Sequence, residues 1–143
     1  MEGVIDLSYE TLSDKSNIPD TVGQGWIAAE LNESDWTISV SDEALEEIDQ
    51  MVVLMRNQPL PILLRNVMDF DISHLRALYK KVKKVCDCDA GFAVIDKLPI
   101  DEYDIDEMLA VYWVLGQLLG TNVAQKWNGT MIYDVTDTGQ KYG

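Results

Sequence analysis

An α+β domain is the fold class this sequence predicts, and three observations predict it. Three segments repeat apolar residues at helical spacing behind cap residues; short apolar runs of strand length lie between them; those runs are too few to close a sheet by themselves. The 143 residues suit one domain, large enough to bury roughly two-thirds of its unfolded surface.

Residues 1–25 combine Ser, Asp, Asn, Pro and Gly with weak periodicity and read as an irregular lead-in. A short helix is expected from Trp26 to Asn32. The first long helix starts behind Ser41 as N-cap, with Asp42 and Glu43 where the helix dipole favours anions. Leu45, Ile48, Val52 and Met55 form its apolar stripe, and Pro59 and Pro61 stop it. Ile62-Leu63-Leu64 is expected to be a strand, followed by a loop over Asn66–Asp71. Asp71 or Ser73 is expected to cap a second helix that buries Leu75, Leu78, Tyr79 and Val82. Its other sides carry Lys80, Lys81, Lys83 and Lys84.

Gly91-Phe92-Ala93-Val94-Ile95 reads as a buried strand. Asp104 and Glu107 make a variant capping box for a third helix that runs to Gly120. The expected stripe of that helix is Met108, Leu109, Tyr112, Leu115 and Leu119. Thr130 through Val135 is the last strand expected, before a polar tail over Thr136–Gly143.

The formal net charge is −14, which argues against nucleic acid and against anionic membrane surfaces as partners. Residues 1–50 hold thirteen acids against one lysine, whereas residues 51–100 carry a basic excess. The acidic first third reads as a solvated face more readily than as a dock for a basic surface elsewhere. No run reaches the length of a membrane span, and the start is not a cationic signal peptide. Cys86 and Cys88, one residue apart, then read as reduced thiols of a cytoplasmic protein.

Chemistry-bearing patterns are sparse. His74 is the only histidine, and a lysine-rich amphipathic helix suits a surface or capping role better than catalysis. It has no companion ligand at helical spacing. Cys86-Asp87-Cys88-Asp89 alternates soft and hard donors but reads as a polar turn after a helix. The acids Asp101, Glu102, Asp104, Asp106 and Glu107 lack the spacing and glycine of a calcium loop. A nucleophile elbow, a phosphate loop and a dinucleotide fingerprint are all absent. No catalytic or metal-ligating residue is assigned within this chain.

Several motifs occur in a fixed order: Gly91-Phe92-Ala93-Val94-Ile95, then Leu98-Pro99, then the helix ending Leu115-Gly116-Gln117-Leu118-Leu119-Gly120-Thr121. Val123-Ala124-Gln125 and Tyr133-Asp134-Val135-Thr136-Asp137-Thr138-Gly139 follow. In this order they resemble the N-terminal portion of the taurine dioxygenase-like (TauD/TfdA) family of Fe(II)- and 2-oxoglutarate-dependent oxygenases. Trp36, the helix over 41–57 and Pro61-Ile62-Leu63 fit the same layout more loosely.

The resemblance implies that residues 1–143 are the N-terminal part of one oxygenase domain. They would supply flanking helices and the first strands of a double-stranded β-helix, or jelly roll, that this chain leaves incomplete. It implies Fe(II) and 2-oxoglutarate as cofactors of the assembled enzyme, with neither bound by this chain alone. In that family a His-x-Asp pair and a distal histidine hold the iron, and none of these stands here. The implied partner is a C-terminal segment or second chain carrying the His-x-Asp motif, the break falling at a mobile loop, between split genes or at an artificial cut. The layout brings Gln125, Asn128 and Tyr142 towards the mouth of the barrel as candidate contacts to a small-molecule substrate. A non-catalytic acidic interaction or regulatory module is the alternative that the residues leave open.

Overall fold

The computed structural model describes residues 28–137 and 139. Three helices and one small sheet organise them: β1 (Thr37–Ser39), α1 (Asp42–Asn57), α2 (Ser73–Cys88), β2 (Val94–Asp96) and α3 (Ile105–Gly116). β1 and β2 pair in parallel, Thr37 opposite Val94 and Ser39 opposite Asp96. A parallel pair needs a long crossover, and here α1 and α2 provide it. Trp36 and Phe92, just ahead of the two strands, bring their ring centroids to 5.6 Å.

α1 begins as expected, with the Ser41 hydroxyl accepting from the Ala44 N–H at 3.3 Å. It packs against both α2 and α3. Its buried face is Ala44, Ile48, Met51, Val52 and Met55, with Glu47 the one charged residue among them. Leu45, expected on that face, is only half-buried. On α2 the buried set is the expected one of Leu75, Leu78, Tyr79 and Val82. Burial of each large side chain contributes about 1.5–3 kcal/mol.

The cap of α2 differs from expectation. Ile72 is its N-cap and offers no side-chain bond. Glu47 of α1 supplies the cap from a distance: its two carboxylate oxygens accept from the N–H groups of His74 and Leu75, each at 2.8 Å. The other end follows glycine chemistry. The Gly91 N–H turns back on the Val85 carbonyl at 3.1 Å, with Gly91 at φ +80°.

α3 carries the capping interaction expected at its start, the Glu107 carboxylate accepting from the Asp104 N–H at 3.2 Å. Its expected stripe holds at Leu115, which is buried, and in part at Met108, which packs half-buried against the core, but not at Tyr112 or Leu119. Ala110, Val111, Trp113, Val114 and Leu115 are buried, whereas Tyr112 is 64 % and Leu119 43 % exposed. A helix apolar on nearly every side gives periodicity no face to select. It ends at Gly116 rather than Gly120, because Leu118 and Leu119 bond three residues back and tighten the chain out of α geometry.

The expected strands fared worst. Ile62–Leu64 is a 3-10 turn, set by Pro61 and closed by Leu64 and Arg65 N–H groups donating to the Pro61 and Ile62 carbonyls. The strand expected over 91–95 is shortened to Val94–Asp96, and Val94 is exposed rather than buried. No strand forms over Thr130–Val135; Met131 and Ile132 instead pack against the helical core. Of the helix expected over 26–32, the described part is a 3-10 turn at Ala28–Glu30, and Trp26 lies outside the described residues. The lead-in over 1–25 also lies outside them. Among the described residues no helix is long and apolar enough to cross a membrane.

Substitution of Glu47 tests the borrowed cap. Glu47→Ala leaves two helix-terminal donors without their carboxylate, and chemical denaturation is expected to show a loss of about 2–3 kcal/mol. Burial pushes the Glu47 carboxyl up, but bonds from the His74 and Leu75 backbone, the His74 ring and Ser73 outweigh it and hold it below its ordinary value. Its stabilisation is therefore complete above the ordinary carboxylate range and is lost as pH falls through the lowered folded value. A Glu47→Ala protein within about 0.5 kcal/mol of the parent at neutral pH contradicts this account.

Candidate functional site

A cleft of about 340 Å³ opens where α3 ends. Tyr112, Trp113 and Gly116 form one wall, and residues from Asn122 to Val135 return across the helix end to form the other. Side-chain amides fix that geometry. The Gln117 Nε2 donates to the Arg65 carbonyl at 2.9 Å, and its Oε1 accepts from the Val67 N–H at 3.0 Å. The Trp113 indole donates to the same Arg65 carbonyl at 3.2 Å. Asn122 Nδ2 donates to the Trp113 carbonyl at 3.1 Å, and its Oδ1 would lie 3.3 Å from a Cβ built on Gly116. Glycine there lets the chain cross the helix end closely.

Beyond Asn122 the chain closes a tight loop. The Gln125 N–H donates to the Thr130 carbonyl at 2.8 Å, and the Gly129 N–H to the Lys126 carbonyl at 3.0 Å. Gly129 sits at φ +86°, a conformation that suits a residue without a Cβ. The Asn128 Oδ1 accepts from both the Thr130 N–H at 3.1 Å and its hydroxyl at 2.7 Å. Lys126 Nζ lies 4.6 Å from the centre of the Tyr133 ring. At the tip, Trp127 is 99 % exposed.

The three residues expected to meet a substrate therefore part company. Gln125 lines the cleft, with its Nε2 donating to the Val123 carbonyl at 3.0 Å. Asn128 is exposed at the loop tip, where its side chain closes the turn. Tyr142 lies outside the described residues. Sequence reasoning passed over Asn122, Tyr112 and Tyr133, which line the same cleft. Tyr112 was hidden by being counted into the helix stripe; as the only hydroxyl-bearing residue of α3, it was the signal available. The lining offers aromatic faces, amides and phenol hydroxyls, suited to gripping an uncharged or weakly polar molecule.

A second constellation groups Ser73, His74 and Glu47, residue types that a nucleophile triad would use. Their arrangement is a cap instead. His74 Nδ1 meets Glu47 Oε1 at 2.9 Å, and the Ser73 hydroxyl donates to that same oxygen at 3.3 Å. The Ser73 hydroxyl also lies 3.5 Å from Nδ1, so serine and glutamate meet the same ring nitrogen and the imidazole does not bridge them as a relay would. Among the described residues no three His, Cys, Asp or Glu side chains converge to hold a metal ion. Cys86 and Cys88 are both free and exposed. Buried Tyr79 has its phenol pushed up to about 12, by burial first and by Tyr112 second, so it stays protonated.

Against known proteins, neither a family model nor a curated protein matches this chain.

The amide clamp and the loop tip make opposite predictions. Gln117→Ala removes bonds to Arg65 and Val67 together and is expected to cost about 2 kcal/mol in chemical denaturation. Trp127→Ala removes a side chain that touches almost nothing and is expected to change stability by less than about 0.5 kcal/mol. A Trp127→Ala loss as large as that of Gln117→Ala contradicts the exposed placement of the indole.

Proposed function

We propose that this chain is the N-terminal segment of an Fe(II)- and 2-oxoglutarate-dependent oxygenase of the taurine dioxygenase-like type. It would act on a small organic substrate, with hydroxylation of an unactivated C–H bond the expected outcome. The observation that carries this reading is the coincidence of cleft and resemblance. The cleft lies at the end of α3 and along 122–135, within the stretch whose motifs resemble that family.

The described side chains of this chain do not fit an iron centre. Its only histidine has Nδ1 committed to Glu47, and no further donors gather around it among the described residues. Iron and 2-oxoglutarate therefore belong, on this reading, to a C-terminal segment or second chain carrying the His-x-Asp motif. Residues of this chain contribute binding: Tyr112, Tyr133, Asn122 and Gln125 would hold the substrate and help exclude water from it. A cytoplasmic setting belongs to the same proposal and agrees with two exposed free thiols.

One observation favours the non-catalytic interaction module instead. α1, α2 and α3 close a core of their own, with Ile48, Val111 and Val114 fully buried. A chain that folds alone is what such a module requires.

A denaturing intact-mass spectrum of the natively purified protein separates the two. The oxygenase proposal expects a His-x-Asp sequence in a second species or in one longer chain. That material is expected to decarboxylate 2-oxoglutarate only when Fe(II) is supplied, and His74→Ala is expected to leave the turnover intact. A single folded, monodisperse 16.1 kDa species without Fe(II)-dependent decarboxylation overturns the proposal and leaves the interaction module.

A further inference from the structure

α2 concentrates positive charge on a strongly acidic protein. Arg76, Lys80, Lys81, Lys83 and Lys84 lie on this one helix, against eleven lysines and arginines in the whole chain. Arg76, Lys80 and Lys83 rim a groove of about 500 Å³, with Ala77 and Leu118 supplying apolar lining. The three cations recur at helical spacing and so stretch over roughly 10 Å along the helix. Lys83 also meets Asp87 at 2.9 Å, an exposed pair that holds its charge only loosely. A long cationic rim above an apolar floor suits an extended acidic polypeptide with interspersed apolar residues better than a small compact anion.

Such a polypeptide stands in the same chain. Residues 1–27 carry five acids against Lys15, and Glu2, Asp6, Glu10 and Asp14 recur every fourth residue. Ile5, Leu7, Tyr9 and Leu12 are interspersed among them. Belonging to the same chain, these residues need no bimolecular encounter to reach the groove, an advantage that a separate acidic partner lacks.

We propose that the acidic segment 1–27 docks on the cationic groove of α2 in its own chain, its carboxylates on Arg76, Lys80 and Lys83 and its apolar residues on Ala77 and Leu118. The segment thereby covers this basic face and competes with any other acidic molecule for it. This inference stands apart from the oxygenase proposal and uses none of its residues.

Zero-length crosslinking of the full chain tests it, with a carbodiimide that joins an amine and a carboxylate in contact. Peptide mapping of the monomer band is expected to join Lys80 or Lys83 to carboxylates at positions 2–14. Raising salt to about 0.5 M, or introducing Arg76→Glu, which reverses a charge of the groove and leaves both reactive amines in place, is expected to cut that yield by about five-fold or more. Both lysines are exposed, and circular dichroism checks that the variant keeps its helices. Links between these sites confined to a band of twice the monomer mass overturn the proposal in favour of a second copy. Absence of links from positions 2–14 to α2 in the parent monomer overturns it outright.

Discussion

One carboxylate, buried between two helices, sets the arrangement on which the other elements depend. Glu47 reaches from the middle of α1 to the first turn of α2 and accepts from two backbone donors there. A buried charge is costly unless it is fully bonded, so α2 must begin where Glu47 can reach it. That pins the register of one helix against the other. Leu75, the residue whose N–H meets Glu47 Oε2, then enters the core beside Ile48 and Ile72. His74 and Ser73 close round the same oxygen and so belong to scaffolding rather than chemistry.

The remaining helix is fastened at both ends by polar contacts of a different kind. Arg56, in the last turn of α1, forks onto Glu107 in the first turn of α3, with Nε at 2.6 Å and Nη2 at 3.0 Å. Both charges suit their helix ends, and Arg56 holds the Glu107 carboxyl below its ordinary value. At the other end Gln117 and Trp113 converge on the Arg65 carbonyl. The cleft is a by-product of this fastening. α3 stops where Gln117 turns aside, and the chain must then cross the helix end to continue.

What the sequence made legible was local. Ser41 capping α1 and the four-residue stripe of α2 are decided by neighbours within one or two turns, and both were read correctly. The cap of α2 was not legible, because its acceptor lies on another helix and nothing near Ile72 announces it. Ile62–Leu64 looked like a strand because apolar runs carry no statement of partners; the fixed φ of Pro61, with no neighbouring strand among the described residues, turned it into a 3-10 turn. Over Thr130–Val135 the same apolar signal was spent on packing against helices. Of the cleft, Gln125 was placed by order along the chain, whereas Tyr112 and Asn122 join it only through the close crossing at Gly116. Asn128 carried a turn signal, Asn-Gly ahead of Thr130, that explains its role better than a ligand does.

The sheet is the part of this molecule with the least holding it shut. β1 and β2 are three residues each, and their parallel ladder joins segments that both long helices separate. Closing so large a loop costs chain entropy that a few bonds barely return, so the pairing is expected to open before the helices part. Amide hydrogens of the ladder, such as Val94 N–H on the Trp36 carbonyl at 2.9 Å, would exchange with solvent through this small opening. Those of Ile48 or Val111 wait for the helical core itself to come apart. The protein would thus carry two stabilities, the weaker one in the strands that precede α1 and α3.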